Sequence, residues 1–253
     1  MTEGFCDVRA YALLHQGTPG DLAFYIERCR GTSTILELGC GYGRLLFPLA
    51  EQGFVITGMD VHPGMLDVIA MVEDRFPLAE GNIQLVQSEM QSFELGTTFD
   101  RILIPYNGLF CLLNDEDVVE CFKTIRKHLK PDGKLIFDVY TMDLEGDEEG
   151  IEEEAKPDYL VTLQDDEHEV KVYEQHRWDF GKQRVDVTYQ YFWEEAAKLA
   201  PVSYTIPQRY LFPKQLQRLL KEAGLQVETM EGGFLGEPFD EDSPQCVVTA
   251  TLA

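Results

Sequence analysis

Short apolar runs alternate with helical spacing over the first half of the chain. Residues 35–38 (Ile-Leu-Glu-Leu) form a run of strand length, residues 45–50 repeat apolar side chains at helical intervals, and residues 54–59 form a second run. This order predicts strand, helix and parallel strand, a βαβ unit. The alternation continues. Pro63 suits a first helical turn, so a helix is expected from His62 to about residue 73. Strands are expected over 83–86 and 99–104. Residues 115–129 then carry Val118, Val119, Phe122 and Ile125 on one helical face, with Asn114 or Asp115 as the cap. Residues 134–140 read as a fifth strand.

Beyond residue 143 the period changes from 3.6 to 2. Residues 159–163, 169–178, 184–193 and 202–211 alternate as antiparallel strands do, with a hairpin turn at Phe180-Gly181-Lys182. On the second of them Val170, Val172, Glu174, His176 and Trp178 share a face; on the third Val185, Val187, Tyr189, Tyr191 and Trp193 do. Helical spacing returns over 213–223 and stops at Gly224, and two strands, 225–230 and 245–251, close the chain. Upstream, two helical pieces within residues 4–30 are split by Gly17-Thr18-Pro19-Gly20, with Asp21 as the expected cap of the second.

Composition narrows the partners. With 45 acidic residues against 21 Lys and Arg, the formal charge is −24. Such a surface repels a phosphate backbone, which disfavours a nucleic-acid substrate. Eight of the twelve residues from 143 to 154 are acidic, which reads as a solvated, mobile loop. No run of 18 apolar residues exists and the N-terminus lacks a signal-like pattern, so neither a membrane span nor export is expected. Six cysteines without zinc spacing fit reduced thiols in a cytoplasm and no metal site.

The chemistry concentrates where the first strand ends. Gly39, Gly41 and Gly43 stand at alternate positions in the turn, and the second strand ends on Asp60. A glycine turn lets a ligand approach the backbone, and a carboxylate at that strand tip suits a ribose diol. A dinucleotide fingerprint would need its third glycine at position 44, where Arg44 stands, so the spacing is G-x-G-x-G. With Glu37 ahead of it, that pattern resembles motif I of the class I S-adenosylmethionine-dependent methyltransferases. The phrase Leu129-Lys130-Pro131-Asp132-Gly133-Lys134 before an apolar strand resembles their late core motif.

The resemblance implies a fold and a site. The expected fold class is α/β, a Rossmann-like, mostly parallel seven-stranded sheet with an antiparallel last strand, plus an inserted antiparallel β-sheet. The expected division is a helical lid over 1–30, a cofactor-binding core over 31–143 and 213–253, and the inserted sheet over 144–212. The cofactor implied is S-adenosyl-L-methionine, leaving as S-adenosyl-L-homocysteine. By the same resemblance Gly39, Gly41 and Gly43 admit its methionine end, with Glu37 orienting the turn. Asp60 holds the ribose, Glu89 and Met90 hold adenine, and Tyr11, Cys40, Val61, Met65, Pro105 and Asn107 are further cofactor contacts. His62 departs from the family's small polar residue and fits a cap or an adenosine-edge contact.

Acceptor chemistry is less determined. Enzymes that methylate an exocyclic amine often carry Asn/Asp-Pro-Pro-Tyr after the fourth strand; here Leu103-Ile104-Pro105-Tyr106 lacks the polar first residue. Candidate catalytic groups are Tyr106 in that loop and Glu174 and His176 on the inserted sheet, if that sheet roofs the substrate. A small-molecule acceptor through N or O is expected, and the sheet could instead serve a homodimer. Two alternatives stay open: a non-catalytic methyltransferase-like binding protein, and an NAD-dependent oxidoreductase.

Overall fold

The computed structural model describes residues 7–75, 82–142, 150–154, 156–166, 168–194 and 200–253. Contacts divide the chain into two compact units: Met1–Gln16 with Asp143–Tyr210, and Gly17–Met142 with Leu211–Ala253.

The larger unit is built on a seven-stranded sheet. Its strands are β1 (Thr34–Leu38), β2 (Val55–Asp60), β3 (Asn82–Gln87), β4 (Phe99–Ile104), β5 (Leu129–Tyr140), β11 (Leu225–Glu231) and β12 (Gln245–Leu252), in the spatial order β11-β12-β5-β4-β1-β2-β3. β1 pairs in parallel with both β2 and β4, whereas β12 runs antiparallel to β5 and β11. The reversed strand expected at the end of the chain is β12. Ile35, Leu36, Ile102, Leu103, Phe137 and Val248 are fully buried. Strands covered on both faces read as continuous apolar runs, which is why these four-to-seven-residue runs were legible.

Helices α2 (Asp21–Cys29), α3 (Leu46–Glu51), α4 (Pro63–Arg75), α5 (Asp115–His128) and α6 (Pro213–Glu222) belong to this unit. Asn114 caps α5, its side chain accepting the Asp117 N–H at 2.8 Å. Two boundaries differ from expectation. Gly20, in the left-handed region, caps α2, because the Asp21 carboxylate is drawn to Arg44 and so cannot serve as cap. β5 begins at Leu129, five residues early, because the Lys130-Pro131-Asp132-Gly133 turn is absorbed as an irregularity in its pairing with β4.

The other unit is an antiparallel sheet. β8 (His168–Asp179), β9 (Arg184–Trp193) and β10 (Val202–Arg209) form its body; β6 (Ile151–Glu153) and β7 (Asp158–Asp165) pair with β8. β6 corrects the reading of the acidic run as loop: three of its last residues are paired backbone, while residues 143–149 lie outside the described ones. One face buries Val170, Val172, Val185 and Tyr191, and the Tyr191 and Tyr204 hydroxyls share a buried hydrogen bond of 2.7 Å. Helix α1 (Val8–Leu14) is tied to this sheet through Arg9, which meets Asp165 at 2.8 Å. Asp165 also accepts the Trp193 indole N–H at 2.6 Å. Burial drives the His15 pKa down to about 4. No helix among the described residues is long and apolar enough to cross a membrane.

Candidate functional site

The glycine turn and the tip of β2 are bonded to one another. Asp60 Oδ2 accepts the Gly41 N–H at 2.9 Å and Oδ1 accepts the His62 N–H at 2.8 Å. Burial raises the Asp60 pKa, opposed by these backbone donors. The Cys40 N–H donates to the Met59 carbonyl at 2.9 Å, so the turn is fastened to β2 at two successive residues.

The glycines differ in what surrounds them. At Gly43 (φ +89) a Cβ would meet Phe47 at 2.9 Å and Ile69 at 3.0 Å, so this glycine is required by packing onto the helix. At Gly41 (φ +54) a Cβ would meet nothing within 4 Å. Backbone beside open space is what a close-fitting ligand needs. Met90 Cε lies 3.7 Å from where a Gly39 Cβ would be, which brings the third-strand loop against the turn. Glu89 is exposed and accepts from Gln91 Nε2 at 3.2 Å. Met65 and Cys40 are buried, and Val61 is exposed. Glu37 is 2% exposed, and burial drives its pKa to about 8; its Oε2 has no hydrogen-bond partner among the described residues. A buried, unpaired carboxyl oxygen beneath an open glycine turn fits a site completed by a polar ligand.

The loop after β4 carries backbone strain. Tyr106 (φ 54) and Asn107 (φ 60) are consecutive left-handed residues, each at a cost of about 1–3 kcal/mol. The buried Asp138 on β5 accepts the Tyr106 N–H at 2.9 Å and the Tyr25 hydroxyl at 2.5 Å. Asn107 Oδ1 in turn accepts the Tyr140 N–H at 2.6 Å. Pro105 is buried ahead of this pair.

Arg44, noted in the sequence only as a missing glycine, pairs with Asp21 at 2.7 Å. Its guanidinium carbon lies 5.6 Å from the centre of the Tyr106 ring. Asp138 lies within the run read as the fifth strand, with no role assigned to it there. The available signal was a lone acid inside the apolar run Leu-Ile-Phe-Asp-Val-Tyr: such a group is buried only with partners.

The other unit holds the remaining candidates. His176 Nδ1 is 2.9 Å from Glu154 Oε1, and Glu154 also accepts the His176 backbone N–H. Partial burial works against ionisation of Glu154, but the His176 bonds hold its pKa below the ordinary value. His176 Nε2 lies 3.9 Å from Glu174 Oε2, and burial raises the Glu174 pKa. Beside them is a depression of about 190 Å³ whose lining includes Glu153, His176, Arg177 and Asp186. Tyr11 lies on α1 with its ring 4.1 Å from that of His15.

Residues 35–133 match the family described as a methyltransferase domain. A putative methyltransferase of Geobacillus sp. (strain WCH70) is 35% identical over 112 residues, 44% of each chain, so the match spans under half of that relative. The cypemycin N-terminal methyltransferase of a Streptomyces species is 24% identical over 85% of this chain and 81% of its own. Among solved structures, the CcbJ methyltransferase from Streptomyces caelestis superposes with a TM-score of 0.77 at 22% identity, covering 94% of this chain and 97% of its own. CalS10, an amino pentose methyltransferase from Micromonospora echinaspora solved with S-adenosylmethionine bound, gives 0.71 at 18% identity, covering 98% and 97%. The fold of these enzymes is the fold of this chain.

Proposed function

We propose that the chain, whose residues 35–133 match a methyltransferase domain and whose fold is that of solved methyltransferases, transfers the methyl group of S-adenosylmethionine to a small molecule, with an amine as the favoured acceptor. The observation that carries the cofactor half is the bond between Asp60 and Gly41 beside open space at the turn. Asp60 would receive the ribose diol, Gly39 to Gly43 would admit the methionine end, and Met90 with Glu89 would flank the adenine. Glu37 would complete its hydrogen bonding through the occupied turn. Tyr11, Cys40, Val61, Met65, Pro105 and Asn107 are proposed as further contacts.

Bound S-adenosylmethionine supplies an electrophilic methyl on a sulfonium. The protein's part is chiefly alignment: holding a nucleophile in line can account for about 7–11 kcal/mol of a barrier. An amine that arrives protonated must also lose a proton. His176, oriented through Nδ1 by Glu154, would take it at Nε2, with Glu174 as the other acceptor; Tyr106, a phenol whose pKa burial raises, would orient the amine as a hydrogen-bond partner.

The amine preference is supported by relatives named for amino or N-terminal acceptors, and by the acidic lining at Glu153 and Asp186. A homodimer is supported by the partly exposed ring row Tyr159, Tyr173 and Phe192. The test is a screen of small amines, phenols and carboxylates for release of S-adenosylhomocysteine. Amines alone should turn over; turnover confined to phenols or carboxylates would reject the amine preference.

A further inference from the structure

The loop after β4, left-handed at two successive residues, rests on a buried carboxylate. Two bulky residues in succession with positive φ are unstable alone, because Cβ crowds the following carbonyl. A buried carboxylate meets the first of them: Asp138 Oδ1 accepts the Tyr106 N–H at 2.9 Å. The reverse tie, Tyr140 N–H to Asn107 Oδ1 at 2.6 Å, closes the loop onto β5 from the other side.

We propose that Asp138 is the positioning residue of this loop: its carboxylate, bonded to the Tyr106 N–H, fixes the loop that faces the cofactor and thereby tunes cofactor affinity.

Its surroundings make the anchor sensitive to protons. Tyr25 and Asp21 face it from α2 and Tyr106 from the loop; Arg44 is paired with Asp21. Asp138 Oδ2 is buried with no hydrogen-bond partner among the described residues, so the charge is only half compensated. Burial accordingly pushes the Asp138 pKa up to about 6, against the pull of the Tyr25 and backbone donors. Below that pH the group is neutral, the Tyr106 N–H loses a charged acceptor, and the strained pair relaxes.

The loop-holding claim is read without any cofactor, by amide hydrogen exchange at Tyr106 between pH 5 and 8, corrected for intrinsic rates. Wild type should lose protection as pH falls through about 6. Asp138→Asn, nearly isosteric and always neutral, should show reduced protection with no such step. Tyr25→Phe, which removes one donor to the carboxylate, should move the step to higher pH. Wild-type protection and an unmoved step in both variants would overturn the proposal.

The affinity claim rests on the cofactor reading above and uses S-adenosylhomocysteine as probe. At pH 7.5 Asp138→Asn should bind it about five- to tenfold more weakly than wild type, near the wild-type value at pH 5. Equal affinity in the two proteins would reject the tuning claim. Absence of binding to wild type would instead reject the cofactor reading, and exchange at the loop would still decide whether Asp138 holds it.

Discussion

Arg44 and Asp21 form a bidentate ion pair across the glycine turn, with contacts of 3.0 and 2.7 Å and side chains only 16% and 5% exposed. The pair joins the start of α2 to the turn that follows β1. Removing one partner leaves a buried charge uncompensated, which costs about 3–5 kcal/mol. Arg44→Met alone and Asp21→Asn alone should each lower the urea midpoint strongly. The double variant Asp21→Asn/Arg44→Met should recover most of the loss. Additive losses would mean that the pair is not coupled.

Gly41 and Gly43 should fail in different ways when changed to alanine. Gly43→Ala meets Phe47 at 2.9 Å and also strains a φ of +89, so it should destabilise the fold by about 2–4 kcal/mol in chemical denaturation. Gly41→Ala has open space for its methyl and should cost about 1–2 kcal/mol, yet weaken S-adenosylhomocysteine binding strongly. Matching losses of stability would contradict the division between a packing glycine and a ligand-facing one.

Glu37 sets a pH dependence of stability. Its folded-state pKa, raised by burial from the ordinary 4.5 to about 8, means that the folded protein holds a proton which the unfolded chain has released. The stability this contributes is fully present below pH 4.5 and is lost as pH rises through 8. Glu37→Gln removes the titration. The difference in thermal midpoint between wild type and variant should therefore shift in favour of the variant across that window. A difference that stays flat from pH 4.5 to 8 would show that Glu37 is charged in the fold throughout.

His176 and Glu174 are tested by turnover with an amine found in the screen. His176→Ala should cut kcat by about 10²-fold or more at neutral pH, the ordinary range for a lost general base. Glu174→Gln should reduce it less. S-adenosylhomocysteine affinity should be unchanged in both. Unaltered kcat would leave His176 as a packing residue beside Glu154.

Much of the larger unit could be read from the chain because its strands are buried on both faces and punctuated by glycine or proline. The turn at Gly39 to Gly43, Asp60 and the reversed β12 were all visible this way. β6 was not, since three residues paired at the edge of a sheet carry little apolar signal within an acidic run. The early start of β5 was hidden because Pro131 and Gly133 ordinarily end a strand, and here the irregular pairing with β4 tolerates them. Arg44–Asp21 and Tyr25–Asp138 join residues 23 and 113 positions apart. Pairings that distant follow from the fold and leave no local pattern.

The central claim is that the Gly39 to Asp60 stretch holds S-adenosylmethionine, and calorimetric titration with S-adenosylhomocysteine tests it most directly. Wild type should bind with one-to-one stoichiometry, and Asp60→Ala should bind at least tenfold more weakly while keeping its circular dichroism spectrum. A folded wild-type protein that gives no binding heat at any temperature tried, or an Asp60→Ala variant that binds as tightly as wild type, would contradict it.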